Sequence, residues 1–105
     1  MTIKTYLGFD VGTKRTGIAI ANSLTSHASG IETVFNHKDG STNWPKLEKL
    51  INKHQADIFI VGLPLDDKGK EQEMTFIARS FGRKLEQRFS KEVVFIDEYL
   101  SSSEA

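Results

Sequence analysis

The residues best suited to chemistry are acids that end apolar runs. Tyr6-Leu-Gly-Phe-Asp-Val-Gly-Thr-Lys-Arg-Thr-Gly-Ile-Ala-Ile20 carries one acid, Asp10, where an apolar strand meets a turn. A carboxylate there is no core filler, because burying it without compensation is costly. A second run, Glu92-Val-Val-Phe-Ile-Asp97, ends on the adjacent acids Asp97 and Glu98. Carboxylate oxygens are the ligands of hard divalent cations such as Mg²⁺ or Mn²⁺. Two such ions about 4 Å apart can activate a water and stabilise the leaving oxygen of a phosphodiester. That chemistry needs acids from separate elements at one rim. Asp97 and Glu98 are neighbours on a strand, so their side chains point to opposite faces. Asp97 continues the Val93 and Phe95 alternation toward a helix, which favours Glu98 as the ligand, and both stay candidates. The bland alternatives are a turn-capping aspartate for Asp10 and a helix cap for Asp97-Glu98.

The turn Gly12-Thr13-Lys14-Arg15 can bind phosphate, with backbone amides forming an anion nest and Lys14 or Arg15 supplying charge. A solvated hairpin tip is the competing reading. Arg79, Arg83, Lys84 and Arg88 place positive charge along one helix, which would attract a nucleic-acid backbone or serve as a solvated outer face. Trp44 could stack on a base, although a hydrophobic staple at a helix start is the simpler use. His27, His37 and His54 lack a zinc-ligand spacing, and there is no cysteine.

These residues need elements to position them. Ile3 to Val11 reads as a strand and Thr16 to Asn22 as its hairpin partner. Gly30 to Phe35 forms a third strand, followed by a polar loop from Asn36 to Thr42. A helix begins at Thr42 or Asn43, with Pro45 in its first turn and Leu47, Leu50, Ile51 and His54 as its stripe. Asp57 to Gly62 reads as a strand buried on both faces, and Leu63-Pro64-Leu65 leaves it. A second helix covers about Glu71 to Phe89, with Met74, Ile77, Ala78, Phe81 and Leu85 inward. Glu92 to Asp97 is the last strand. The order β-β-β-α-β-α-β predicts an α/β fold with a mixed five-stranded sheet and helices packed on it. Ligands of such sheets sit at the carboxyl ends of parallel strands. Asp10, Gly62-Leu63-Pro64 and Asp97-Glu98 all fall at strand ends.

Length and composition set the outer bounds. The 105 residues suit one domain spanning 1–105. Lys+Arg and Asp+Glu are 14 each, so any basic site must be local rather than global. No apolar run approaches the roughly 20 residues of a membrane span. The first residues lack a signal-peptide core. The expectation is a cytoplasmic protein with no membrane partner, and the sequence marks no dimer surface.

Gly8-Phe-Asp10-x-Gly-Thr-Lys-Arg-Thr-Gly-Ile-Ala-Ile20, Ile60-Val-Gly-Leu-Pro-Leu65 and Asp97-Glu-x-Leu-Ser-Ser102, in that order along nearly the whole chain, resemble the pre-16S rRNA nuclease family. Its members are also called Holliday junction resolvase-like proteins. The segment from Asp66 to Thr75 resembles the family's loop after Gly-Leu-Pro. The resemblance implies a ribonuclease H-like fold and a metal-dependent nuclease that matures the 5′ end of 16S rRNA in the cytoplasm. It carries the metal-site acids onto Asp10 and the Asp97-Glu98 pair. It places Thr13, Lys14 and Gly62-Leu63-Pro64 along the substrate groove. It also implies a further helical element bearing a last acid, beyond Ala105, so that this chain reads as truncated or as a divergent short form. Tyr99 stands where the family usually has arginine; tyrosine can stack or donate a hydrogen bond but carries no charge for phosphate.

Three functions remain in play from the sequence. The first is a nuclease on structured RNA or branched DNA. The second is a non-catalytic nucleic-acid-binding module of the same fold. The third is an ATP-binding module of the actin and sugar-kinase type, whose phosphate loop also reads Asp-x-Gly-Thr. That third architecture places ATP between two such domains, and 105 residues are too few for it.

Overall fold

The computed structural model describes residues 3–24 and 28–99, so His27 and the Leu100-Ser101-Ser102 end of the last motif lie outside the described residues. In chain order the elements are β1 (Thr5–Val11), β2 (Arg15–Asn22), β3 (Ser29–Phe35), α1 (Trp44–His54), β4 (Ile58–Leu65), α2 (Glu73–Phe89) and β5 (Glu92–Tyr99). The strands form one sheet in the order β3-β2-β1-β4-β5. The β1–β2 and β2–β3 pairs are antiparallel, while β1, β4 and β5 run parallel. The expected mixed α/β sheet is therefore present.

Alternation along the strands decides where the core lies. Leu7 and Phe9 of β1, Ile18 of β2, Val34 of β3 and Phe59, Val61 and Leu63 of β4 are buried together. Leu47, Leu50 and Ile51 of α1 and Ala78, Phe81 and Leu85 of α2 join the same cluster. Both helices thus cover one face of the sheet. This is what right-handed crossovers require when the parallel strands step in one direction, from β1 to β4 to β5.

Local chemistry sets the helix ends. The Asn43 side chain accepts a hydrogen bond from the Lys46 amide at 3.3 Å, and Pro45 occupies the first turn of α1. Before α2, the Thr75 hydroxyl accepts from the Gln72 amide at 2.9 Å. The same hydroxyl donates to the Pro64 carbonyl. Thr75 is fully buried, so it fastens the start of α2 to the end of β4.

Three expectations are corrected. β4 runs on through Leu63-Pro64-Leu65, because Leu63, Pro64 and Leu65 pair with Asp97, Glu98 and Tyr99 of β5. Proline is tolerated there because the pairing with β1 ends earlier, at Phe9↔Val61, and leaves that edge open. β4 is also buried on one face only: Phe59, Val61, Leu63 and Leu65 are buried, whereas Ile58, Ile60, Gly62 and Pro64 are intermediate. Finally, Ile77 is 37% exposed rather than inside the α2 stripe. No helix of the described residues is long and apolar enough to cross a membrane.

Candidate active site

The face of the sheet away from the helices holds a cleft of about 520 Å³. Its lining includes Asp10, Glu98, Gly62, Gly8, Gly17 and Ala19. β1 alternates Leu7 and Phe9 into the core, which turns Gly8 and Asp10 outward. β5 points Val93 and Phe95 toward the core cluster, which turns Val94, Ile96 and Glu98 to the open face. Asp10 and Glu98 therefore reach the same cleft from different strands, with β4 between them.

Gly62 is the floor of that meeting place. Phe9 aligns with Val61, and continuing this register by one residue sets Asp10 beside Gly62. A Cβ added at Gly62 would overlap Oε1 of Glu98 and lie 2.6 Å from its Cδ. The Glu98 carboxylate thus lies over β4, one strand spacing of about 5 Å from β1. Gly17, aligned with Asp10 on β2, keeps the other side low, although a Cβ there would make only an ordinary contact with Asp10 Cβ, at 3.8 Å. Small residues around two exposed carboxylates leave room for a bulky anionic backbone to approach.

Asp97 occupies the opposite face. It follows Val93 and Phe95 toward α2 and adds to the field around Arg79. Arg79 donates to Glu71 at 2.6 Å and 3.3 Å. The hydrogen bond to Glu71 raises the Arg79 guanidinium above its ordinary pKa; the charges of Glu71 and Asp97 act in the same direction, against partial desolvation. Geometry therefore groups Glu98, and not Asp97, with Asp10. Glu32 of β3 borders the cleft as well, but it pairs in register with core-facing Ile18, so its carboxylate points to the helix-covered face and is not a third acid of the site. Its carboxylate pairs with Lys46 of α1 at 2.9 Å.

The groove residues do not gather in one place. Gly62 is in the cleft, while Leu63 is buried in the core cluster and Pro64 caps the strand end through its carbonyl. Lys14 and Arg15 are exposed at the β1–β2 turn. Gly12 and Thr13 instead line a second cavity of about 430 Å³ on the helix side, bordered by Phe76, Ile77 and Lys84. The Gly12 amide donates to the Arg15 carbonyl at 2.9 Å, so it closes the turn and is not offered to an anion. A Cβ at Gly12 would stand 2.7 Å from that carbonyl oxygen, which explains the glycine.

The three arginines of α2 are engaged on the protein itself, while Lys84 borders the second cavity. Arg88 lies over the Trp44 ring at 4.3 Å, Arg83 over Phe95 at 5.4 Å and Arg79 over Phe76 at 5.8 Å. Trp44 in turn stacks on Phe81, with centroids 5.5 Å apart and planes 11° apart. Arg88 and Phe81 both rest on the Trp44 ring, so the ring is a packing element between α1 and α2 and not a platform for a base.

Asp10 and Glu98 fit a hard divalent cation in one specific way. Among the described residues no group of three or more His, Cys, Asp and Glu gathers closely enough to hold an ion. Mg²⁺ commonly uses one or two carboxylates and completes its shell with water and substrate phosphate. Two carboxylates over a floor without side chains match that donor set.

Comparison with known proteins places the chain. The sequence profile of the family described as "RuvX: Holliday junction resolvase" matches residues 4–105. The chain is 44% identical over 105 residues to the "Putative pre-16S rRNA nuclease" of Aeromonas salmonicida, covering all of this chain and 74% of that protein. It is 41% identical over 99 residues to the protein of the same name from Coxiella burnetii (strain RSA 331 / Henzerling II), covering 94% of this chain and 70% of that one. Among solved structures, YeaZ from Pseudomonas aeruginosa superposes with a TM-score of 0.54 at 15% identity, over 90% of this chain and 44% of that chain. That likeness shows the fold alone, an α/β mixed sheet of the ribonuclease H-like kind. With the family profile spanning nearly every residue and the relatives above 40% identity, the chain belongs to the RuvX family.

Proposed function

We propose that this protein is a divalent-cation-dependent nuclease that hydrolyses phosphodiester bonds in structured RNA, with pre-16S rRNA as substrate and Mg²⁺ or Mn²⁺ as cofactor. The observation that carries the reading is the shared cleft of Asp10 and Glu98, which reach one side-chain-free floor at Gly62 from β1 and β5. The names of the relatives support the substrate class. Asp10 and Glu98 would hold the ion. When bound, it would polarise the scissile phosphate and lower the pKa of a bound water. The chain's own residues do the rest. Gly8, Gly17 and Ala19 leave space for the strand backbone, and the exposed Lys14 and Arg15 attract its phosphates. Asp97, on the opposite face, acts on Arg79 and stands outside the ion site in this reading. A cytoplasmic location accompanies a role in rRNA processing.

The test is cleavage of a structured RNA carrying the 16S 5′ leader, with Mn²⁺ or Mg²⁺. Asp10→Asn should abolish cleavage and leave the melting temperature unchanged. An Asp10→Asn protein that cleaves normally, in a preparation free of other nucleases, would refute the assignment. The family description favours a second substrate, branched DNA. A four-way DNA junction in the same assay decides between them by which substrate is cut. Salt-sensitive binding of either one without metal-dependent cleavage would instead identify a non-catalytic module.

A further inference from the structure

We infer that Gly62 is a positioning residue, whose missing side chain lets the Glu98 carboxylate lie across β4 toward Asp10; this rests on the Asp10–Glu98 reading above. Glycine in a strand interior weakens the strand and marks a place where another group approaches closely. Its backbone does not explain its presence here. The glycines with positive φ among the described residues are Gly40 and Gly69, and Gly62 is not one of them. It lies in regular parallel pairing with Ile96 of β5, a conformation open to any residue. What fills the space above its Cα is Glu98: Oε1 would overlap a Cβ, Cδ would lie 2.6 Å away and Oε2 3.3 Å away.

The nature of that neighbour sets the consequence of adding a methyl group. The atoms in its way are the free end of an exposed side chain, so they can swing outward without moving backbone or core. Alanine would therefore leave the fold intact and displace the carboxylate from its place beside Asp10. Gly62 acts through Glu98 and touches no reacting atom itself.

The experiment is Mn²⁺ titration followed by water-proton relaxation, together with thermal melting, on the full chain. It compares the parent, Gly62→Ala, Glu98→Gln, Asp10→Asn and the Gly62→Ala/Glu98→Gln double variant. Gly62→Ala should weaken Mn²⁺ binding ~10–100-fold, the scale seen when groups that orient metal ligands are removed, with a melting temperature no lower than the parent's. The double variant should bind as Glu98→Gln does, because the methyl group has no carboxylate left to displace. Parent-like Mn²⁺ affinity in Gly62→Ala overturns the inference. So does a double variant weaker than Glu98→Gln by the full Gly62→Ala factor, or a melting temperature that falls in Gly62→Ala. If Asp10→Asn and Glu98→Gln bind Mn²⁺ like the parent, or the parent does not bind it, the ion site itself is refuted and Gly62 loses its role with it. If those two variants lose binding while Gly62→Ala keeps it, the ion site stands and the positioning role alone fails.

Discussion

On the helix-covered face, β1 and β4 present Leu7, Phe9, Phe59 and Val61; on the open face, the same strands present Gly8, Asp10, Ile60 and Gly62. The first set fills space. Phe9 meets Phe59 edge-on at 5.8 Å and Phe81 at 5.5 Å, and Phe59 meets Phe89 at 5.8 Å. Burying each such side chain contributes about 1.5–3 kcal/mol. In the second set the glycines clear space around the Asp10 and Glu98 carboxylates, beside the one bulky side chain, Ile60. One strand thus serves stability and chemistry at alternate residues, because successive side chains point to opposite faces. The comparison teaches that the same type of substitution should be read by different instruments on the two faces, melting on one and ion binding or turnover on the other.

The largest expected contrast tests that division directly. Phe59 is fully buried, so Phe59→Ala should cost ~3–5 kcal/mol in denaturant unfolding. Asp10→Asn, on an exposed side chain of the neighbouring strand, should stay within about 0.5 kcal/mol of the parent. Equal losses from the two would show that the open face is structural as well, and the division would fail.

A glycine pair sharpens the contrast. Gly82 of α2 stands against β5: a Cβ there would overlap Cε1 of Phe95 and lie 2.6 Å from Cζ and 3.4 Å from Val93 Cγ1. Gly62 stands under a carboxylate. Alanine in a helix gains about 1 kcal/mol over glycine, and overpacking costs about 1–3 kcal/mol. Gly82→Ala should therefore lower stability, by up to about 2 kcal/mol, while leaving Mn²⁺ binding alone. Gly62→Ala should do the reverse. A Gly82→Ala protein that melts higher than the parent would mean the Phe95 ring shifts freely, and that α2 and β5 are packed loosely.

Much of this was legible in the sequence, for physical reasons that can be named. Period-two alternation gave β1 its inner and outer faces, and Asp10 stood out as a lone acid in an apolar run. The Val93–Phe95 alternation also indicated which of Asp97 and Glu98 faces the helices. Other features depend on neighbours that a single segment does not reveal. Ile58-Phe-Ile-Val is apolar at every position, so its one-sided burial could not be read from its own pattern. Pro64 reads as a strand breaker, yet it sits where β4 keeps β5 and has passed the end of its pairing with β1. Trp44, Phe81 and Arg88 stack because α1 and α2 meet, which no local spacing encodes. The carboxylate lying over Gly62 likewise joins positions far apart in the chain.

The smallest expected effect concerns the rim where the two faces meet. Glu71 lies just before α2, and its carboxyl is held below its ordinary value of 4.5 chiefly by the hydrogen bond from Arg79, which outweighs desolvation and is helped by that cation's charge. A carboxylate with a lowered pKa in the folded state adds stability that is fully present above its unfolded pKa and fades as pH falls through the folded value. The parent should therefore melt slightly above Glu71→Gln at pH 7, and the gap should close below about pH 4.5. The effect is small because the pair is solvent-exposed and screened by salt. Asp97, near Arg79 on the same side of β5, makes the comparison sharper. If Asp97→Asn leaves Mn²⁺ binding at the parent's level, Asp97 belongs with Arg79 on the helix side of the rim. If Asp97→Asn instead weakens Mn²⁺ binding as Asp10→Asn does, the ion site extends across β5 and the two faces are not chemically separate.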